Sequence, residues 1–193
     1  MLGLKLPTDP RWVNLAEKSL QEILTDHAYC EQKAATSCIS LIQRYPEKER
    51  MVRELAPIVT EEWGHFRQVL REMDKRGLKL GHQRKDMYVN ALRDFQQKGG
   101  SRDNSLLERL LTFALIEARS CERFRLLSLN ISELELRDFY HSFMVSEAGH
   151  YRLFIDLANE YFDPELVKSR WQAYLKYEAE VMLSMKPRGD RMH

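Results

Sequence analysis

Cysteine is scarce: the 193-residue chain has three, Cys30, Cys38 and Cys121, an odd number with no C-x-x-C pair. That set fits neither a disulfide framework nor a structural zinc site, and it points to a reducing compartment. Glycine (8) and proline (6) are also few, which disfavours collagen-like, disordered and turn-rich all-β chains. No stretch of about 18 apolar residues runs without a charge, and the start, MLGLKLPTDPRWV, lacks the apolar core of a secretion signal. A soluble cytoplasmic protein with no membrane partner is expected. Neither sign of charge dominates, since 30 Lys+Arg against 29 Asp+Glu give a formal net charge of +1. No global field draws the chain to DNA or to an anionic membrane, so any nucleic-acid surface must be local.

What the sequence does have is helical periodicity over one domain's length. Asp9-Pro10 reads as a helix start, and apolar residues recur at helical spacing to Tyr45-Pro46, with room for a break near Ser19. A second stretch runs from about Glu47 to Arg76, is kinked by Pro57 and is stopped by Gly77. Residues 78–104 hold three glycines and one polar helical piece from about Lys85 to Gln97, and read as a long crossover. A third helix is expected over Ser105–Leu129, closed by a left-handed Asn130. Ser132-x-x-Glu135 has the form of a capping box opening a fourth helix to Tyr161. Asp163-Pro164 starts a last helix to Met185, followed by a tail, about 186–193, expected to be mobile. Two helix pairs with short turns and one long connection predict an all-α, ferritin-like four-helix bundle with one crossover and an additional C-terminal helix, in a single domain over 1–193.

Four glutamates lie where a helical core should be. Glu31 falls among Leu24, Ala28, Ala35 and Cys38, and Glu62 among Leu55, Ile58, Phe66 and Val69. Glu117 falls among Leu110, Ala114, Cys121 and Phe124, and Glu147 among Tyr140, Phe143, Tyr151 and Phe154. A buried unpaired carboxylate costs several kcal/mol, so compensating positive charge is required. Histidine follows three residues after two of them, as His65 and His150, on the same helical face. Carboxylates with neutral imidazoles suit iron or manganese. One Glu from each of two helices plus a Glu-x-x-His from each of the other two is the ligand pattern of carboxylate-bridged dimetal bundles. The spacings Glu31 to Glu62 and Glu117 to Glu147 differ by one residue, which favours Glu117 over Glu122 as ligand and leaves Glu122 as a candidate supporting residue. His27 and His141, the cysteines, and Tyr29, Tyr140 and Tyr151 read as packing residues.

The segments DHAYCEQKAA (26–35), EEWGHFRQVL (61–70), ALIEARSCERF (114–124) and SEAGHYRLF (146–154) resemble those of the bacterial tRNA-(2-methylthio-isopentenyl-adenosine) hydroxylases, the MiaE type, from about Leu6 to Met185. The resemblance implies a non-haem diiron monooxygenase. It would hold two iron ions on Glu31, Glu62, His65, Glu117, Glu147 and His150, and would use dioxygen and external electrons to hydroxylate the isopentenyl group beside the anticodon. Its implied partners are the tRNA anticodon loop and an electron-transfer protein or reductase, since no rubredoxin-like cysteine cluster or flavin motif is present. Candidate tRNA contacts are Lys75, Arg76, Arg84 and Lys85, within a basic run that also includes Arg71 and Lys79, with Lys186, Arg188 and Arg191 of the tail as an alternative. Competing readings are another ferritin-like diiron or dimanganese oxidase, a peroxide scavenger or iron-handling protein, or a non-enzymatic helical interaction module.

Overall fold

The computed structural model describes residues 2–193, and among them are seven helices and no strand. The chain divides into two compact units. One comprises residues 14–85 and 188–192; the other comprises residues 2–13 and 86–187 with His193. Helix α1 (Arg11–Lys18) begins in the second of these and ends in the first. It stops at Ser19, where the sequence leaves room for a break.

The first unit is built on a helix pair, α2 (Leu20–Arg44) and α3 (Glu49–Lys75). Buried positions on α2 advance by three or four residues through Leu24, Ala28, Glu31, Ala35, Cys38 and Leu41. On α3 the buried series Met51, Leu55, Glu62, Phe66, Val69 and Met73 keeps the same face, with one step of two turns from Leu55 to Glu62. Glutamate thus occupies a core register on both helices. α3 continues through Pro57, and Gly77, with φ +66°, takes the left-handed conformation that ends it. The loop after α3 is fastened to α2: Gly81 N donates to Thr25 Oγ1 (3.2 Å), and Tyr29 Oη donates to the Gly81 carbonyl (3.0 Å).

The second unit contains α4 (Met87–Phe95), α5 (Arg102–Asn130), α6 (Leu134–Tyr161) and α7 (Pro164–Ser184). α5 and α6 form its long pair, and their buried series again include glutamate: Leu110, Ala114, Glu117, Cys121, Phe124 on α5 and Tyr140, Phe143, Glu147, His150, Phe154 on α6. α4 does more than connect. Tyr88 and Leu92 are fully buried, and Phe95 stacks on Tyr177 (4.2 Å) of α7. Asp86 and Asp163 cap α4 and α7, Asp86 accepting from Val89 N and Asp163 from Glu165 N and Leu166 N. The capping box expected at Ser132 does not form, because α6 begins at Leu134 with Glu133 as its N-cap and no side-chain cap bond. Asn130 is helical rather than left-handed; its side chain donates back to the Leu126 carbonyl, and Ile131 ends α5.

An ion network lies inside this unit. The Arg119 guanidinium, with no exposed side-chain surface, donates to Glu178 Oε1 (2.6 Å), Glu122 Oε2 (2.7 Å), Thr8 Oγ1 (3.1 Å) and the Leu6 carbonyl (2.9 Å). Burial raises the Glu178 carboxyl, against the pull of Arg119. Burial, with Arg119 alongside, brings Arg123 down to about 10, and its guanidinium lies over the Trp12 ring.

Residues 188–193, part of the expected mobile tail, are placed against structure. In the first unit Arg84 bonds Asp190 (2.9 Å), and the Met192 backbone donates to Asp26 (2.8 Å). In the second, His193 bonds Ser120 Oγ (2.9 Å) and stacks on Tyr88.

Candidate metal centre

Each long helix pair brings two glutamates level. Glu31 stands fourteen residues before Tyr45, the C-cap of α2, and Glu62 fourteen after Lys48, the N-cap of α3. Glu117 stands fourteen before Ile131, the C-cap of α5, and Glu147 fourteen after Glu133, the N-cap of α6. At 1.5 Å per residue each pair meets roughly 21 Å from its turn. Glu122 is five residues nearer the turn.

In the first unit, ligand atoms of Glu31, Glu62 and His65 lie within 4.8 Å of one another. His65 Nδ1 is 3.3 Å from Glu31 Oε2 and 3.3 Å from Glu62 Oε2. The other Glu31 oxygen meets His27 Nε2 at 2.8 Å, and the His27 side chain is fully buried. In the second unit, atoms of Glu117, Glu147 and His150 likewise lie within 4.8 Å of one another. His150 Nδ1 is 3.7 Å from Glu147 Oε2, and Ser146 Oγ approaches His150 Nε2 at 3.4 Å. All six side chains are buried. Within each unit the structure therefore brings together the residues singled out in the sequence.

The donor set fits a metal ion. Glu147 Oε2 is buried with no hydrogen-bond partner among the described residues, a costly state for a carboxylate unless a cation completes it. The buried arginines of the same unit are engaged elsewhere: Arg119 holds Glu178 and Glu122, and Arg123 lies over the Trp12 ring. Hard carboxylate oxygen with imidazole nitrogen is a set that iron accepts.

Glu122 has both oxygens occupied, Oε1 by Thr8 N (2.7 Å) and Oε2 by Thr8 Oγ1 (2.6 Å) and Arg119. It anchors the segment before α1 to α5. His27, read as a packing residue, is the buried side chain whose Nε2 lies 2.8 Å from Glu31 Oε1. Its signal was the four-residue spacing, which sets it one turn before Glu31 on the same face. Cys121 donates to the Met144 carbonyl (3.3 Å), and burial, with Glu147 and Glu122 adding, pushes its thiol up to about 11. At pH 8 about one thiol in a thousand would be ionised. Native protein should therefore show alkylation of Cys121 only as pH climbs toward 11, read by peptide mass spectrometry; rapid labelling at pH 8 would contradict this environment.

The basic candidates separate. Arg76 and Lys75 bond Glu72 (2.7 and 3.2 Å), and Arg84 is tied to Asp190 and to the Glu22 carbonyl. Lys75 and Lys85 are exposed, whereas Arg76 and Arg84 are part-buried and hold their own loop.

Comparison with known proteins decides the family. The family described as tRNA-(MS[2]IO[6]A)-hydroxylase (MiaE) matches residues 2–193. The chain belongs to the MiaE family. A relative named tRNA 2-(methylsulfanyl)-N(6)-isopentenyladenosine(37) hydroxylase, from Pseudomonas putida, is 37% identical over 160 residues, which is 83% of this chain and 77% of that protein. One of the same name from Salmonella typhimurium is 26% identical over 94% of this chain and 84% of its own length. Among solved structures, a Synechococcus protein titled for aldehyde deformylating oxygenase activity is 33% identical, with a TM-score of 0.91, over 98% of this chain and 94% of that one. The MiaE-family chain is all-α and ferritin-like, as its periodicity predicts. No described helix is long and apolar enough to cross a membrane.

Proposed function

We propose that the chain, working as one domain over residues 1–193, hydroxylates the isopentenyl side chain of 2-methylthio-isopentenyl-adenosine next to the anticodon of tRNA. The observation that carries this reading is the pair of buried Glu, Glu, His triples, each level on its own helix pair, in a chain matched throughout to the MiaE family. The residues that would hold two iron ions are Glu31, Glu62 and His65 in one unit and Glu117, Glu147 and His150 in the other. Bound iron supplies dioxygen activation and the removal of hydrogen from a C–H bond.

The protein's own part is positional. His27 takes one oxygen of Glu31 and leaves the other turned to His65, as supporting residues do around metal ligands. Ser146 contacts the outer nitrogen of His150, leaving Nδ1 toward Glu147. Phe113 and Phe154, ring centroids 5.6 Å apart, together with Phe143 furnish an apolar wall that disfavours water. Phe66 does the same beside His65 in the other unit. Electrons come from a partner protein, and tRNA as substrate places the work in the cytoplasm. Among the basic candidates, Lys75 and Lys85 meet phosphate, while Arg76 and Arg84 support the loop that carries them.

The test supplies iron-loaded protein with a reductant, dioxygen and tRNA bearing the prenylated adenosine, with an aldehyde as a second substrate, and reads nucleosides by mass spectrometry. A gain of one oxygen on the prenyl chain is expected. No gain at full iron loading, with or without aldehyde turnover, would overturn the reading.

A further inference from the structure

Helix α3 carries an outward face that neither the metal site nor the core explains. Trp63, between Glu62 and His65, is 47% exposed although it is an indole. It is not loose: its ring stacks on Phe66 at 4.9 Å and 27°, which fixes one face of the indole and leaves the other to solvent. Arg67 and Arg71 follow at intervals of four, so the three side chains lie within roughly 80° of one another around the helix. Both arginines are exposed, and among the described residues neither makes an ion pair, in contrast to Arg76 and Arg84. Gly64 lies on the same side. A Cβ there would meet nothing within 4 Å, so packing does not call for glycine, which mid-helix is less stable than alanine. The bare backbone leaves room beside Trp63 for a group to approach closely; Gly149, before His150, is equally bare but has no exposed indole or arginine pair of this kind beside it.

We infer that Trp63, Gly64, Arg67 and Arg71 form a landing face for a single-stranded RNA loop. One base stacks on the free side of Trp63, the sugar-phosphate backbone crosses Gly64, and Arg67 and Arg71 hold phosphates. Every base offers a π face to an indole, and fixed aromatics flanked by cations are how unpaired nucleotides are held. An acidic redox protein would satisfy the arginines but would leave the propped indole and the bare glycine without a purpose. This inference rests on tRNA being the substrate. It moves the centre of the RNA contact from the crossover to the turn of α3 that carries Glu62 and His65.

The experiment measures the affinity of iron-loaded protein for prenylated tRNA across a salt series, with iron content and melting temperature recorded for each variant. Trp63→Ala is expected to weaken binding about tenfold. Arg67→Ala with Arg71→Ala should lower the slope of log affinity against log salt by about 1.4. Gly64→Ala is the discriminating variant: it should leave the melting temperature unchanged or raised while weakening binding, a combination that a structural role for Gly64 does not produce. Wild-type affinity and salt slope in all three variants would overturn the landing face, while wild-type protein still binding and hydroxylating tRNA would leave the proposed function standing. Unchanged tRNA affinity with a raised requirement for the electron-donor protein would assign the face to that protein and overturn the inference. Wild-type protein that neither binds nor hydroxylates the tRNA would overturn both.

Discussion

Glu62→Ala is expected to take bound iron from two ions per chain to less than one and to lower tRNA hydroxylation by at least about a hundredfold, since loss of even a residue supporting a metal ligand typically costs 10–100-fold. Glu62 is 1% exposed and shares His65 Nδ1 with Glu31. Its removal takes away a carboxylate while the buried apolar series around it on α3 stays intact. Without metal, a carboxylate held in a low-dielectric interior close to another costs stability. Metal-free Glu62→Ala should therefore melt no lower than metal-free wild type, even though the iron-loaded wild type exceeds both. Iron analysis, hydroxylation and thermal melts of both forms check this. Full iron occupancy in the variant would remove Glu62 from the ligand set.

Arg119→Met should have the largest effect on stability, about 3–5 kcal/mol, because it strands Glu178 and Glu122 in the interior with their shared cation gone. At 2–4 °C per kcal/mol for a chain of this size, the melting temperature falls by roughly 10 °C. The double variant Arg119→Met with Glu178→Gln should recover part of that loss, since it removes a stranded charge along with its partner. A melting temperature within about 2 °C of wild type for Arg119→Met alone would show that the buried network contributes little.

These two residues mark how far the sequence could be read. Glu62 was legible because its signal is local: a carboxylate in a core register and a histidine three residues on, repeated at Glu147 and His150. The same locality made the helix pairs readable, and the structure adds that Glu117 lies with Glu147 and His150 while Glu122 is held by Thr8 and Arg119. Arg119 was not legible. Its partner Glu178 lies 59 residues away and Thr8 lies 111 away, and no periodicity links them. The helical piece in the crossover forms as α4, but its burial was not legible for a related reason: Tyr88 finds Glu178 on α7, 90 residues away. Helix ends failed at Asn130 and Ser132, where a side-chain bond to Leu126 and a start two residues later replaced the expected caps. Charge runs predicted a basic surface but not which cations would be consumed. Ion pairing to Glu72 and Asp190 decides that for Arg76 and Arg84.

Glu31, Glu62, His65, Glu117, Glu147 and His150 are the six residues proposed to hold iron. Anomalous diffraction at the iron edge, from crystals of iron-loaded protein, tests that assignment directly. Two iron peaks are expected, one touching His65 and one touching His150, with Glu122 still bound to Arg119. A single peak, peaks away from these residues, or iron on Glu122 in place of Glu117 would contradict it.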